Sequence, residues 1–331
     1  MDIDSVRGLK QALVQSQVEP LAAHPEKIAT RAMAARPVSA VDEVQRSVAL
    51  GIAHRAGNDY RLAVRIQSRA LEGGPEIERI RKAAKGEVDE RYIGRVVKQA
   101  VPPLRTRRRP LVVGCSIGHF RITAGTLGCF VSTKSGEPRI LSNNHVLANE
   151  NSGKKGDAII QPGQFDGGNK PADTVGSLDR FIRLKKTKPN RVDCAIARIK
   201  AGINFDARSL ADLGPIQGLA TIALSKGMKV HKVGRTTATT TGRVTAFELD
   251  NVVVGYDLGN LRFDNQIEVE GEGDGPFSQG GDSGSLIVDE GLGALALLFA
   301  GGDVGGANGK GLTYGNLLAD VFAALNVTLL T

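Results

Sequence analysis

A chain of 331 residues with 41% hydrophobic residues, 24% charged residues and no tryptophan has the length for two or three domains and enough apolar material for a sizeable core. The 41 glycines follow no short period, and the composition excludes collagen-like and disordered classes. The net charge of +8 resides in the first third, where residues 1–110 carry 21 Lys+Arg against 13 Asp+Glu while the remainder carries 22 against 22, so two parts with different surfaces are expected.

The opening MDIDSVRGLKQALVQSQVEP lacks a basic stretch followed by an apolar core. No run reaches the ~18 apolar residues of a membrane span. A soluble, cytoplasmic protein without a membrane partner is expected. Cys115, Cys129 and Cys194 are an odd, widely spaced set with no C-x-x-C pair, which speaks against a disulfide framework or a zinc site and for a reducing compartment.

In chain order, Val6, Leu9, Leu13 and Val18 fall at helical spacing, and Val41, Val44, Val48 and Ile52 repeat the pattern, so residues 1–57 are predicted to be helical. From Tyr60 the texture changes. YRLAVRIQ alternates like a half-buried strand, GGPEIERIRKAAKG reads as a helix with Pro75 in its first turn and Gly86 at its end, and EVDERYIGRVV reads as another strand. Together they predict a small α/β unit over 58–98. The following QAVPPLRTRRRPLVVG, with three prolines and four arginines, predicts a linker over 99–112. A self-cleavage site and a contact for an acidic partner are sharper readings of the same stretch.

Beyond residue 112 come many short alternating or apolar runs separated by Gly, Asn, Asp and Pro, among them ITAGTLGCFV, DCAIARI, GRVTAFEL and ALALLFAG. This spacing predicts an all-β sandwich or barrels. In NLLADVFAALNV, residues Leu317, Leu318, Val321, Phe322 and Leu325 share a face and predict a closing helix over 316–327.

GGDSGS places Ser283 between Asp282 and Gly284. A serine hydroxyl needs a base to take its proton, and the base needs a third group to orient it. Of the five histidines, His24 and His54 lie in the opening segment, His231 is explained by its strand, and His119, before the first barrel strand, is expected to face solvent. His145 ends the strand-like run RILSNNHVLA and is placed at the rim of a barrel. Asp193, in NRVDCAIARI, stands where a loop enters a buried apolar strand, a costly place for an unpaired carboxylate. The order His145, Asp193, Ser283 is that of chymotrypsin and differs from the subtilisin and α/β-hydrolase orders. The bland alternative is a barrel in which the three coincide by chance.

With these motifs, residues 113–331 resemble a trypsin/chymotrypsin-like serine protease domain. GTLGCFV, ILSNNHVLA, IIQPGQFDGG, VDCAIARI, KVGRTT and GGDSGSLIV taken together resemble a group of mostly bacterial trypsin-like proteins related to the plant narrow-leaf protein. The resemblance implies a mainly β fold of two six-stranded antiparallel barrels, about 113–205 and 228–315, with a site in the cleft between them. It implies Ser283 as nucleophile, His145 as general base and acid, and Asp193 as the group that fixes the histidine. The N–H groups of Gly281 and Ser283 would form the oxyanion hole.

In many relatives the aspartate before the serine pairs with a freed amino terminus. No IVGG-like terminus is evident here and 112 residues precede the domain, so Asp282 needs another partner, such as Arg235. Val146 and Leu147 stand where secreted relatives carry a cysteine. Phe277, six residues before the serine, occupies the place of the acid that holds Arg or Lys in trypsin-like enzymes, so a basic preference is not expected. Ser278, Gly301 and Gly302 complete the implied substrate pocket, and Asp303 could reach a basic group.

The expected function is serine endopeptidase action on a protein or peptide substrate, without metal or organic cofactor. The alternative is a catalytically silent peptide-binding or scaffold module on the same fold. Residues 1–110 carry no identifiable chemistry. They are expected to dock on the protease domain and control access to it, or to mediate assembly. Nucleic acid is not indicated, since Arg105, Arg107, Arg108 and Arg109 alone do not make a binding surface.

Overall fold

The computed structural model describes residues 1–18, 48–94, 96–97 and 106–331. The architecture is mainly β. Six strands, Lys229–Gly234, Ala238–Asp250, Gln266–Gly271, Leu312–Leu317, Ala294–Gly302 and Leu286–Asp289, each pair antiparallel with the next, and the last pairs back with the first. This closed barrel leaves no edge within its ring. Val230, Val244, Ile267, Val269 and Ile287 fill it, the β-branched side chains that a pleated, buried wall accommodates well.

The other half is a curled antiparallel sheet of eight strands, where six were expected. Two of the eight are short additions, Gly125–Thr126 and the chain-terminal Val327–Leu329. The closing helix spans Leu318–Leu325, inside the expected range, and ends at Asn326 in the left-handed conformation. It carries the chain from the closed barrel back to the curled sheet, where Val327–Leu329 pairs with Cys129–Thr133. In the same sheet Pro138–Ser142 runs antiparallel to Ala195–Ile199 with Ser142 opposite Ala195, so continuing two residues past each partner brings residue 144 opposite residue 193.

The first third departs from the helical expectation. Ile3–Leu13 is helical, but Val48–Ala56 is a strand. The valine spacing misleads because six consecutive residues of this strand are buried on both faces, which erases the period of two. His24, Val41 and Val44 lie outside the described residues. Over residues 58–98 lie strand Asp59–Ile66, helix Pro75–Ala83 and strand Val88–Tyr92, the two strands parallel, while the end of EVDERYIGRVV forms a separate short strand, Val96–Val97, paired elsewhere. The sheet of Asp59–Ile66 is continuous with the closed barrel, because Val48–Ala56 pairs with both Asp59–Ile66 and the barrel strand Ala238–Asp250.

Helix Ile3–Leu13 anchors to the same barrel strand through Lys10, which donates to the Glu248 carbonyl at 2.7 Å and pairs with Asp250 at 3.0 Å. Arg65 reaches into the barrel wall and meets Glu268 at 2.8 Å, both side chains fully buried. Thr245 Oγ1 and Tyr314 OH donate to the same carboxylate. Burial opposes the charge on Arg65, but the carboxylates of Glu268 and Asp89 outweigh it and raise its pKa. Arg65→Met strands Glu268 without a counter-charge and should lower unfolding free energy by about 3–5 kcal/mol. Urea denaturation measures this; a loss below about 1 kcal/mol would show that the pair does not tie the segment to the barrel.

The described part of the expected linker is held against the curled sheet. Arg108 N–H donates to Gln161 Oε1 at 2.9 Å, and Leu111–Val112 pairs in parallel with Phe205–Asp206. Residues 99–105, Arg105 among them, lie outside the described residues. Among the described residues no helix is long and apolar enough to cross a membrane. All three cysteines are free and buried, and burial raises their thiol pKa values, to about 11 for Cys115 and about 12 for Cys129.

Candidate active site

The pairing of Pro138–Ser142 with Ala195–Ile199 brings together two residues 48 positions apart. Asn143 stands at the start of the single helical turn Asn144–Leu147, its carbonyl accepting from the Val146 and Leu147 N–H groups, and that turn lifts His145 off the end of its strand. His145 Nδ1 and Asp193 Oδ2 are 2.5 Å apart. Asp193 is fully buried and accepts three more hydrogen bonds, from Asn144 N–H at 2.6 Å, His145 N–H at 3.3 Å and Tyr256 OH at 2.6 Å. Burial resists ionisation of this carboxyl, but the charge of His145 and the hydrogen bonds from His145 and Tyr256 outweigh it, so its pKa is lowered. An ionised Asp193 accepts the Nδ1 proton and leaves the Nε2 lone pair as the basic position of the ring.

Asparagines fix the frame. Asn143 Nδ2 donates to the Asp193 carbonyl at 2.8 Å and Asn316 Oδ1 accepts from the Asp193 N–H at 2.8 Å. Asn144 and Asn151 bind each other and the carbonyls of Ile182 and Leu184.

Ser283 stands across a cleft of about 270 Å³ that His145 also lines, with Ile122, Thr123 and Ala124 contributing further lining. Among the described residues its hydroxyl makes no hydrogen bond. The serine turn is tied to the other half of the molecule, since Thr126 N–H donates to the Ser283 carbonyl at 2.8 Å and Thr126 Oγ1 to the Gly281 carbonyl at 2.8 Å. Gly281 has φ +89°, a conformation open to glycine, and a Cβ there would strike the Arg235 guanidinium. The N–H groups of Gly281 and Ser283 donate to no acceptor among the described residues, which leaves two donors on one turn beside the hydroxyl.

Asp282, between them, turns away into the interior. It accepts from Thr236 N–H at 2.8 Å, Thr237 N–H at 3.2 Å, Thr237 Oγ1 at 2.7 Å and Gln279 N–H at 3.0 Å. Its counter-charge is Lys232, at 3.5 Å with both side chains fully buried, and not Arg235. Arg235 goes elsewhere, to a buried two-pronged contact with Asp166 at 2.8 and 2.5 Å, joining the barrel to the GQFDGG loop of the other half. The reason is reach: Asp282 is already satisfied by the backbone after Arg235, so the guanidinium is aimed past it. Lys232→Met should destabilise the fold by about 3–5 kcal/mol, because it leaves Asp282 buried without its cation. Lys232→Met combined with Asp282→Asn should recover part of that loss in thermal unfolding. Equal losses in the two variants would show that the pair is not coupled.

Among the described residues, Phe277, Ser278, Gly301 and Gly302 are not in the lining of the cleft shared by His145 and Ser283. Phe277 is buried in the interior cluster shared by the barrel and the first third. Ser278 is buried and bonds Thr313 Oγ1 at 2.7 Å. Gly301 and Gly302 are strand residues paired with Val97 and Val96, and Asp303 is exposed. His119 is a correction: it belongs to strand Ser116–His119, is buried rather than solvent-facing, and pairs with Asp157 at 3.0 Å. His231 bonds Thr241 in its strand and His54 bonds the Gly57 carbonyl in a turn. Tyr256, Asn316 and Lys232 escaped the sequence reading; the one available signal was a lone tyrosine at the end of VVVGY in a chain with only four.

No family model matches the sequence, and no curated protein matches it. Solved structures similar to the chain include a Nocardiopsis protease, at 18% identity and a TM-score of 0.47, spanning 67% of this chain and 99% of that one. A chymotrypsin of Cellulomonas bogoriensis is 20% identical with a TM-score of 0.45, spanning 67% and 98%. A glutamic acid-specific serine protease, described as using a histidine triad in substrate binding, is 21% identical with a TM-score of 0.46, spanning 66% and 100%. These neighbours are trypsin/chymotrypsin-like serine proteases.

Proposed function

We propose that the protein is a serine endopeptidase that hydrolyses protein or peptide substrates through His145, Asp193 and Ser283, under the control of its first 110 residues. The observation that carries this reading is the fully buried Asp193 carboxylate 2.5 Å from Nδ1 of a histidine that shares a cleft with Ser283. Ser283 Oγ attacks the scissile carbonyl carbon while His145 Nε2 takes its proton. The carbonyl oxygen becomes an oxyanion and is received by the N–H groups of Gly281 and Ser283, each such donor contributing roughly 3 kcal/mol. Collapse expels the amine with the proton from Nε2, and water repeats the cycle on the acyl-enzyme. Asp193 stays ionised and stabilises the imidazolium.

The test is labelling with a small fluorophosphonate, with the modified residue located by peptide mass spectrometry. Phosphonylation of Ser283 in the wild type, lost in Ser283→Ala, is the expected result. A folded wild type that stays unmodified would overturn the reading.

A further inference from the structure

The strand Ala294–Gly302 offers two edges. One is taken along its length by Leu312–Leu317, with Gly301 opposite Thr313. The other begins against Leu286–Asp289 and continues to the serine turn, where Gly284 N–H donates to the Leu298 carbonyl at 2.8 Å. Three residues further, Gly301 and Gly302 pair antiparallel with Val97 and Val96. Because Thr313 already holds one side of Gly301, Val97 lies on the edge shared with the serine turn. Val97 is also opposite Gly255 of the hairpin strand Val252–Tyr256, whose Tyr256 donates to Asp193. Val96 is fully buried in the apolar cluster that includes Tyr256, Phe263, Phe299 and Ala300.

Glycines at 301 and 302 present bare backbone, the surface to which an extended peptide adds as a strand. A peptide running as Val96–Val97 runs would pass Gly302, Gly301, Ala300 and Phe299 in turn and arrive beside Leu298, which is bonded to the residue after Ser283. At ~3.3 Å per residue, the three steps from Gly301 to Leu298 cover about 10 Å.

We infer that Val96–Val97 is an internal substrate mimic, held on the edge where an extended peptide with an aliphatic residue at the Val96 position must bind, and that the protein stays latent towards peptides until this short strand leaves. The inference rests on the proposed peptidase function. It gives the first third a means of controlling access through a strand edge.

Two probes separate the two ideas. A small fluorophosphonate needs no strand edge and reads the triad, whereas hydrolysis of an extended fluorogenic peptide with valine or isoleucine residues upstream of the cleaved bond reads the edge. Val96→Asp forces a carboxylate out of the apolar cluster; at least tenfold faster peptide hydrolysis than the wild type is expected, with labelling rates equal. A full-length Val97→Cys, Gly301→Cys variant supplies a second measurement independent of that substitution's effect on folding. Its oxidised form should hydrolyse the peptide at least tenfold more slowly than its reduced form. Equal peptide rates between wild type and Val96→Asp, or between the two redox forms, with labelling intact, would overturn the substrate mimic and leave the peptidase standing. Absence of labelling throughout would remove both.

Discussion

Ser283→Ala, His145→Ala and the double variant are each expected to lose kcat on one peptide by the same factor of roughly 10⁶. The equality is the informative part. Ser283 without its base is an ordinary alcohol, and His145 without the serine has no proton to take, so removing the second partner after the first costs nothing more. Residual turnover in all three would come from the donors at Gly281 and Ser283 and from peptide positioning, which the substitutions leave in place. Steady-state kinetics on purified proteins decides it. Losses that multiply, or a single variant within tenfold of wild type, would mean that the two residues do not act as one unit.

Asp193→Asn should lower kcat by about 10⁴ while preserving the fold. The reason lies in the four donors around the carboxylate: Asn144 N–H and His145 N–H meet Oδ1, while His145 Nδ1 and Tyr256 OH meet Oδ2. An asparagine has one oxygen, and the two backbone donors claim it. Its amide NH₂ then faces the ring and donates to Nδ1. The imidazole must carry its proton on Nε2, where the base should be. Nitrogen-15 spectra of the ring would report the exchanged tautomer directly. A variant with unchanged tautomer and undiminished kcat would show that Asp193 has no part in orienting His145.

His145, Asp193 and Ser283 could be picked out as candidates from sequence because each sits in a short local context, LSNNHVLA, NRVDCAIARI and GGDSGS, and because the three occur in a known order. The β-rich architecture was equally legible, since short strands and glycine or asparagine turns alternate through residues 113–331. What failed to show was pairing at a distance. Lys232 shares a strand face with Val230, but nothing local tells that a lysine there is buried as the counter-charge of Asp282, fifty positions away. Arg235 has the right charge for that task, and only the position of Asp166 on another loop shows why it is spent elsewhere. Val48–Ala56 loses its alternation because both faces are covered, one consequence of a sheet that continues from the closed barrel into the first third. Phe277 was placed by analogy of position. The interior cluster that receives it is built from strands far apart in the chain, which no local pattern announces.

The strand Val88–Tyr92 is fixed in the sheet, and only four positions separate Tyr92 from Val96. So short a tether keeps Val96–Val97 at an effective local concentration of about millimolar or higher. An incoming peptide therefore contends with a competitor that cannot be diluted, and its apparent KM is multiplied by one plus the ratio of that concentration to the competitor's intrinsic dissociation constant. Diluting the protein changes nothing in this balance. Long substrates that engage several backbone positions at once are favoured over short ones, and selectivity for length arises without any pocket that measures it.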